Sequence, residues 1–556
     1  MKTRSNSRRL RGLKVSLATL LACAAILPAS ARVLPPQPLP DIELTPIGTY
    51  ASGIFNQGGA EIVAHDPLTQ RLYVVNARSN TVDVLDISNP VAPTKIGSIN
   101  LLLFGGVANS VAVHDGLVAV AVEAVPKTDP GKVVFFDAAL VPLSAVTVGA
   151  LPDMLTFTHD GGHVLVANEA EPSGYGAGHV DPEGSVSVID LKRGAANLQQ
   201  RDVRTADFSR FNNLTAQLKS AGVRIFGPNA TVAQDLEPEY IAVSPTDAIA
   251  WVTLQENNAI AIIQIQSATV VGIIPLGLKD HSAPGNAFDA SDRDNGANGP
   301  AINIANWPVS GMYLPDSIAT YSVGAIPFLV MANEGDARDW PGFREDVRAG
   351  VTNYILDSTV FPDAGVLKSN ANLGRLNVSS VDGDLDGDGD VDRIQSYGAR
   401  SFTIRNTSGQ VVFDSGDQFE TILAGLHASG DVIFNASHDN NTFDVRSPSK
   451  GPEPEGLALG QAFGHTLAFI GLERVGGLMV YDITSPAASS FVTYANNRIF
   501  SLGTAINAGN FSTFGDLGPE GIVFIDASDS PNGQPLVVVG NEISGTTTIY
   551  QVNQVP

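Results

Sequence analysis

One pattern recurs seven times along this 556-residue chain. Each copy has an acidic opening, a strand, a turn, a second strand ending at an acid, a tight turn and a third strand. The last copy, "GPEGIVFID…PLVVVGNEISGTTTIYQV", is the plainest. Copies begin near Glu61, Asn109, Asp153, Glu239, Asp316, Glu455 and Glu520, with openings such as "LPDML", "EPEYI", "LPDSI", "EPEGL" and "GPEGI". A short repeated unit cannot bury its apolar face alone, so it must pack against its neighbours. Units of this size and strand count predict a seven-bladed β-propeller, with a stacked solenoid as the competitor. Closure has its own signature. The last copy stops after three strands at "TTTIYQVNQVP", while "ELTPIGTY" near the N-terminus is an orphan strand similar to "TKIGSIN" of the first copy. An N-terminal strand completing the last blade closes the ring and hides its edges. The expected fold is therefore all-β: a seven-bladed propeller closed by an N-terminal strand, with long loop insertions.

The second strand ends in an acid in six copies: Glu123, Glu169, Glu256, Glu334, Glu473 and Glu542; the first copy has Ala77. Opening and second acid lie about 14 to 22 residues apart, room for a strand, a turn and a strand. In a propeller the first strand of each blade lines the central channel and the second runs antiparallel to it. Both acids then meet at one face, as two rough rings at the mouth of a funnel. Crowded carboxylates are costly unless they bind cations or take up protons. Glu239, Glu334, Glu455, Glu473, Glu520 and Glu542 are the candidate metal ligands of this funnel. The alternative is turn chemistry, in which Asn adopts left-handed backbone and Glu points to solvent.

The first 31 residues read as a secretion signal rather than as fold. "MKTRSNSRRLRGLK" carries six basic residues and no acid, "VSLATLLACAAIL" is an apolar core, and Ala29-Ser30-Ala31 offers a cleavage site after Ala31. Arg8-Arg9 also resembles a twin-arginine export signal. "LLAC" at Cys23 offers a lipoprotein box as the other route, though Leu21 is unusual there and the apolar run continues past the cysteine. Residues 32–556 are read as one domain. Cleavage removes the only cysteine, so disulfides and a cysteine nucleophile are excluded. It also takes the formal charge from −24 to −30, because all 57 acidic residues remain. Such a surface repels nucleic acid and anionic lipid and favours cations or basic partners. No later apolar stretch approaches membrane-spanning length, so no membrane span is expected.

Copy spacing stretches near 193–214, 279–313 and 336–450, as loops or small subdomains. The last holds the sharpest local signal, "DGDLDGDGDVDR". Asp384, Asp386, Asp388, Gly389, Asp390 and Asp392 follow the order of a calcium loop, with hard oxygens at alternate positions and Gly at the bend. The twelfth position is Gln395 rather than Glu, so an altered calcium loop is expected, with an acidic solvated linker as the other reading. Arg446, Lys450 and Arg474 lie close in sequence to Glu453, Glu455 and Glu473. Cations beside metal-bound carboxylates suit an anionic group such as phosphate. They equally suit ion pairs holding a loop onto a blade, and Arg338 and Arg344 in "NEGDARDWPGFRED" pose the same choice. His438 and His281 lack zinc-ligand spacing.

"ANEAEPSGYG", "GMYLPDSIA", "ANEGDARDW", "YGARSF", "FDVRSPSKGPEPEG", "LERVGGLMVYDIT" and "GNEISGTTTIY" together resemble the exported choice-of-anchor I family, and the larger group of mesenchyme-specific cell surface glycoproteins. The resemblance runs from about Thr45 to Val552. It implies an extracellular propeller, often tethered by interchangeable C-terminal anchors. The chain stops at "QVNQVP" without a hydrophobic tail, so a soluble exported protein, periplasmic or extracellular, is expected. Some relatives are labelled alkaline phosphatases, and the "PEG" openings resemble calcium-dependent propeller phytases, which typically have six blades. Iron held through a cysteine, as in some propeller phosphatases, has no counterpart here. Two functions remain. One is a calcium-binding surface module for a protein or glycan ligand, and the other a metal-dependent phosphoester hydrolase with its site in the funnel. In the second, Arg446, Lys450 and Arg474 contact phosphate and a further metal of unknown identity joins calcium.

Overall fold

The computed structural model describes residues 41–296 and 299–555. The expected secretion signal, with Cys23 and the expected cleavage after Ala31, lies outside them. The regular elements among the described residues are mostly strands, and the longest helix is Gln418–Ser429. No helix among them is long and apolar enough to cross a membrane.

Seven four-stranded antiparallel sheets carry the seven sequence copies. The first is built from Val63–Asp66, Arg71–Asn76, Thr81–Asp86 and Thr94–Asn100 in that order. The next five open with Ala108–His114, Pro152–Phe157, Pro238–Val243, Ile318–Val323 and Pro454–Ala462. The seventh opens with Pro519–Ile525. The first strand of each sheet contacts the first strand of the next, and the seventh contacts the first. Second strands are therefore covered on both faces. This explains why "LVAVAV" at Leu117–Val122 and "LVVVGN" at Leu536–Asn541 are continuous apolar runs rather than alternating ones.

Close approach of neighbouring first strands is what the glycine of "PEG" permits. A Cβ on Gly456 would lie 1.9 Å from the Glu520 carbonyl oxygen, and one on Gly521 would lie 2.7 Å from that of Glu61. Only a residue without a side chain fits between backbones at that separation.

The seventh sheet has the order Asp41–Ala51, Thr546–Val555, Leu536–Asn541, Pro519–Ile525. Its outer strand thus comes from the far end of the sequence, with Leu44 opposite Val552 and Tyr50 opposite Thr547. Ile42 and Leu44 are buried in one cluster with Tyr550 and Val552.

The 336–450 stretch is not a single insertion. Ser401–Asn406 and Val411–Asp414 are the outer strands of the fifth sheet. Part of what precedes them joins segments from 278–312 in a separate five-stranded sheet. Its order is Leu278–Asp280, Val309–Met312, Ile394–Ser396, Asn377–Ser379, Asp346–Arg348. The pairing between Val309–Met312 and Ile394–Ser396 is parallel, which a short-range pattern search cannot anticipate.

Leu44 is 5% exposed, so Leu44→Ala removes a packed side chain from the strand that completes the seventh sheet. A loss of about 2–5 kcal/mol in unfolding free energy is expected, read from the urea midpoint.

Candidate functional site: an acidic mouth

Five of the sheets open with a register shift in the first strand, at Ala108/Ser110, Pro152/Met154, Pro238/Ile241, Pro454/Leu457 and Pro519/Ile522. An extra residue at such a bulge is re-aimed out of the sheet. That residue is Asn109, Asp153, Glu239, Glu455 or Glu520, the opening residue of its copy.

In four copies a backbone hydrogen bond ties the opening to the second acid. The N–H of Glu123, Glu169, Glu473 and Glu542 donates to the carbonyl of Val107, Leu151, Glu453 and Gly518, at 3.0, 2.9, 2.9 and 2.8 Å. Each of these acceptors lies two residues before the opening residue. Leu151, Glu453 and Gly518 take positive φ of 43, 53 and 68°, and Leu314 matches at 43°. A left-handed Leu costs about 1–2 kcal/mol, and here it turns the chain so that two acids sit side by side.

Twelve acidic side chains, two cations (Lys450 and Arg474) and Gln255 line the resulting cavity of about 400 Å³. Glu239, Glu334, Glu455, Glu473, Glu520 and Glu542 are all among them, as are Glu169 and Glu256. Asp153, Asp316, Glu455 and Glu520 also line a second cavity of about 260 Å³ among the first strands, so they form the neck between the two. Carboxylate oxygens come within 4.8 Å of one another in several trios, including Glu169–Glu239–Glu256 and Asp316–Glu334–Glu455. Buried oxygens of Glu239, Glu256 and Glu455 have no hydrogen-bond partner among the described residues.

Burial and mutual repulsion push these acids up. Glu61 rises to about 8, by burial first and then by the charges of Glu542 and Asp153. Burial, then Glu171, takes Asp153 to about 7. Burial also takes Glu256 and Glu334 to about 7, despite Arg338 near the first and Lys450 near the second. Glu239, Asp316, Glu455 and Glu520 are driven well above the usual carboxylate range, by burial first and then by neighbouring acids.

The cations cluster around one carboxylate. Glu453 is fully buried and is met by Arg446 at 2.5 Å, Arg474 at 3.0 Å and Lys450 at 3.3 Å. Burial alone would raise its carboxyl, but the three cations outweigh burial and hold it well below the usual range. Lys450 also pairs with Glu334, and Arg474 with Glu473 at 2.9 Å. His438 Nδ1 lies 2.9 Å from a Glu473 oxygen, and a trio with Glu542 comes within 4.8 Å. Arg338 is buried against Asp235 at 2.6 Å, whereas Arg344 is exposed beside Asp346. His281 is buried, with Nδ1 2.7 Å from the Asn286 carbonyl oxygen.

The Asp-rich loop lies apart from the mouth lining. Asp384 accepts the Gly387 and Gly389 N–H groups at 2.6 and 3.1 Å, and Asp392 accepts that of Leu385 at 2.7 Å. Asp386 and Asp388 accept from Asp388 and Asp390, at 3.2 and 3.1 Å. Gly389, at the bend, has φ +98°. Gln395 belongs to a strand opposite Ser310 and lines a different cavity, of about 600 Å³.

Glu171 and Asp336 also line the mouth and were not anticipated as ligands. Their signal was present: in "NEAE" and "NEGD" an acid follows the second-strand glutamate by two residues. The ion-pair reading of Arg446, Lys450 and Arg474 fits what is seen here, but which of the three nearby glutamates gathers all three cations had no sequence signal.

A choice-of-anchor I domain matches residues 61–486. The chain belongs to the choice-of-anchor I family. It is 31% identical over 196 residues to Gigasin-3a of Magallana gigas, across 34% of this chain and 66% of that protein. It is 29% identical over 290 residues to the mesenchyme-specific cell surface glycoprotein of Strongylocentrotus purpuratus, across 46% of this chain and 36% of that one. The chain thus spans less than two thirds of the length of these relatives. The β-propeller domain of a Myceliophteria thermophila protein aligns over 92% of this chain and 100% of its own, with TM-score 0.42 and 8% identity.

Glu453→Gln leaves Arg446, Lys450 and Arg474 around a neutral group, and breaking a buried pair in this way costs about 3–5 kcal/mol. A falling denaturation midpoint, with unchanged circular dichroism at low temperature, is the expected result. The raised acids predict a second effect. Their folded pKa values exceed the unfolded ones, so the stability linked to their protons is complete below about pH 4 and is lost as pH rises through the folded values near 7 and 8. The melting temperature of chelated protein should therefore fall from pH 5 to pH 8, and a divalent cation should remove most of that fall.

Proposed function

We propose that the seven sheets are the blades of one closed propeller, completed by the Asp41–Ala51 strand, and that its acidic mouth binds calcium. The protein then acts as an exported surface module, periplasmic or extracellular, that presents a calcium-stabilised platform to a protein or glycan ligand. Membership of the choice-of-anchor I family and the likeness to a protein named as a cell surface glycoprotein support the exported, surface-module part of this reading.

The observation that carries the metal reading is the oxygen chemistry of the mouth. Trios of carboxylates face each other within 4.8 Å, with buried oxygens left unpartnered and only two cations among twelve acids. An all-oxygen donor set suits a hard divalent ion such as calcium, and the ion supplies the positive charge that the carboxylates lack. The residues that would hold it are Asp316, Glu334 and Glu455 in one trio and Glu169, Glu239 and Glu256 in another. Glu473, Glu520 and Glu542 border the same opening. Asp384, Asp386, Asp388, Asp390 and Asp392 are read as a second, peripheral calcium loop, whose ligand order supports that reading.

The competing reading, phosphoester hydrolysis, rests on Lys450 and Arg474 bordering the same cavity. Both cations are already committed to carboxylates, as is Arg446, so none is free to clamp a phosphate in this arrangement. That favours the binding module.

Calorimetric titration of chelated protein with calcium should show saturable binding that weakens about tenfold or more in Glu455→Gln. Assays with p-nitrophenyl phosphate and bis-p-nitrophenyl phosphate, run with and without calcium, should show no turnover. Calcium-restored turnover that Glu455→Gln abolishes would overturn the module reading and make the mouth a hydrolase site.

A further inference from the structure

A second group of carboxylates lies outside the mouth lining, within the insertions. Asp289 and Asp294 come from the long connection between the fourth and fifth sheets, and Asp444 from the segment that follows the fifth. Ligand oxygens from all three lie within 4.8 Å of one another. Asp289 and Asp444 are both completely buried.

Local bonding leaves this group short of positive charge. Asp289 accepts the Asn303 and Ser291 N–H groups at 2.7 and 3.1 Å, and one Asp294 oxygen accepts that of Ala301 at 2.7 Å. One Asp444 oxygen accepts from the Ser447 hydroxyl. The other oxygens, Asp294 Oδ2 and Asp444 Oδ2, are buried without any hydrogen-bond partner among the described residues. Arg400, which donates to the carbonyls of Asp289, Ser447 and Ser449, pairs with Glu420 at 2.5 Å. It therefore offsets Glu420 and leaves the three aspartates uncompensated.

We infer that Asp289, Asp294 and Asp444 form a structural site for a hard divalent cation such as calcium, which fastens the two insertions to each other beside the mouth. Two unpartnered buried carboxylate oxygens aimed at a third buried aspartate are what such an ion requires, because it takes oxygen ligands and repays their desolvation. The site also bears on the mouth through the chain. Asp444 lies two residues before Arg446, which holds Glu453. An ion at Asp444 would therefore anchor the segment that delivers Arg446 and Lys450. The inference does not depend on metal at the mouth, since the two sites share no residue.

Terbium is a hard-oxygen calcium substitute whose emission is sensitised by a nearby excited indole. The Trp307 Nε1–H donates to the Phe288 carbonyl at 3.0 Å, next in sequence to Asp289. Full-length folded protein titrated with terbium should show saturable tryptophan-excited emission that calcium displaces. Emission should fall about tenfold or more in Asp444→Asn and in Trp307→Phe, and should persist in Glu455→Gln and Asp384→Asn. Asp294→Asn, at a half-buried position, serves the same purpose if Asp444→Asn does not fold. Wild-type emission in both aspartate variants would overturn the site, as would no tryptophan-excited emission from folded wild-type protein at saturating terbium. In either case the aspartates share protons and hold no ion. Weakened calcium binding at the mouth in Glu455→Gln, with terbium emission intact and still displaced by calcium, would support the aspartate site independently of the mouth.

Discussion

In the third, sixth and seventh sheets the acids meet because a backbone hydrogen bond brings the end of the second strand back to the start of the first. The N–H of Glu169, Glu473 or Glu542 donates to the carbonyl two residues ahead of the opening acid. That carbonyl belongs to a residue with positive φ in front of a proline. Proline has no N–H to compete and fixes its own φ, so the turn is set before any side chain packs. Repeated in these three sheets, one local bond sets an opening acid and a second-strand acid side by side at a common opening.

Electrostatics then divides those carboxylates into two kinds. Glu453, with three cations around it, is held ionised despite complete burial. Glu239, Asp316, Glu455 and Glu520 lack such partners and are pushed toward the protonated form. The same residue type thus serves as an ion-pair hub in one place and as a proton- or metal-dependent ligand a few ångströms away. The difference is set by close neighbours, cations from the segment before the sixth sheet and from the end of its second strand for Glu453 and further acids for the others, as in any site where burial and charge compete. It also explains why the mouth carries so few cations of its own: Lys450 and Arg474 are spent on Glu334, Glu453 and Glu473.

Much of the fold was legible because β-structure writes itself into short-range pattern. The seven openings match the first strands of seven sheets, and the orphan "ELTPIGTY" pairs with Thr546–Val555. The acids at the ends of the second strands were legible for the same reason, since they recur at one position of a repeated unit. Glu171 and Asp336 were visible as repeats of a smaller kind but carried no separate expectation. The boundaries of the 336–450 stretch were not legible. Its outer blade strands sit among irregular segments, and the five-stranded sheet there joins pieces from 278–312 and 346–396 through a parallel pairing. Non-local pairing leaves no periodic trace in either segment.

The sequence by itself determined the unit, its number of copies, the acids at six of the seven second-strand ends and the aspartate order of the 384–392 loop. Each of these depends on spacing within a few tens of residues. Tertiary structure alone decided which carboxylates touch, which of them find a cation, and that Asp289, Asp294 and Asp444 converge from two insertions. Coulomb energy depends on distance in space and on burial, and neither can be read from separation along the chain.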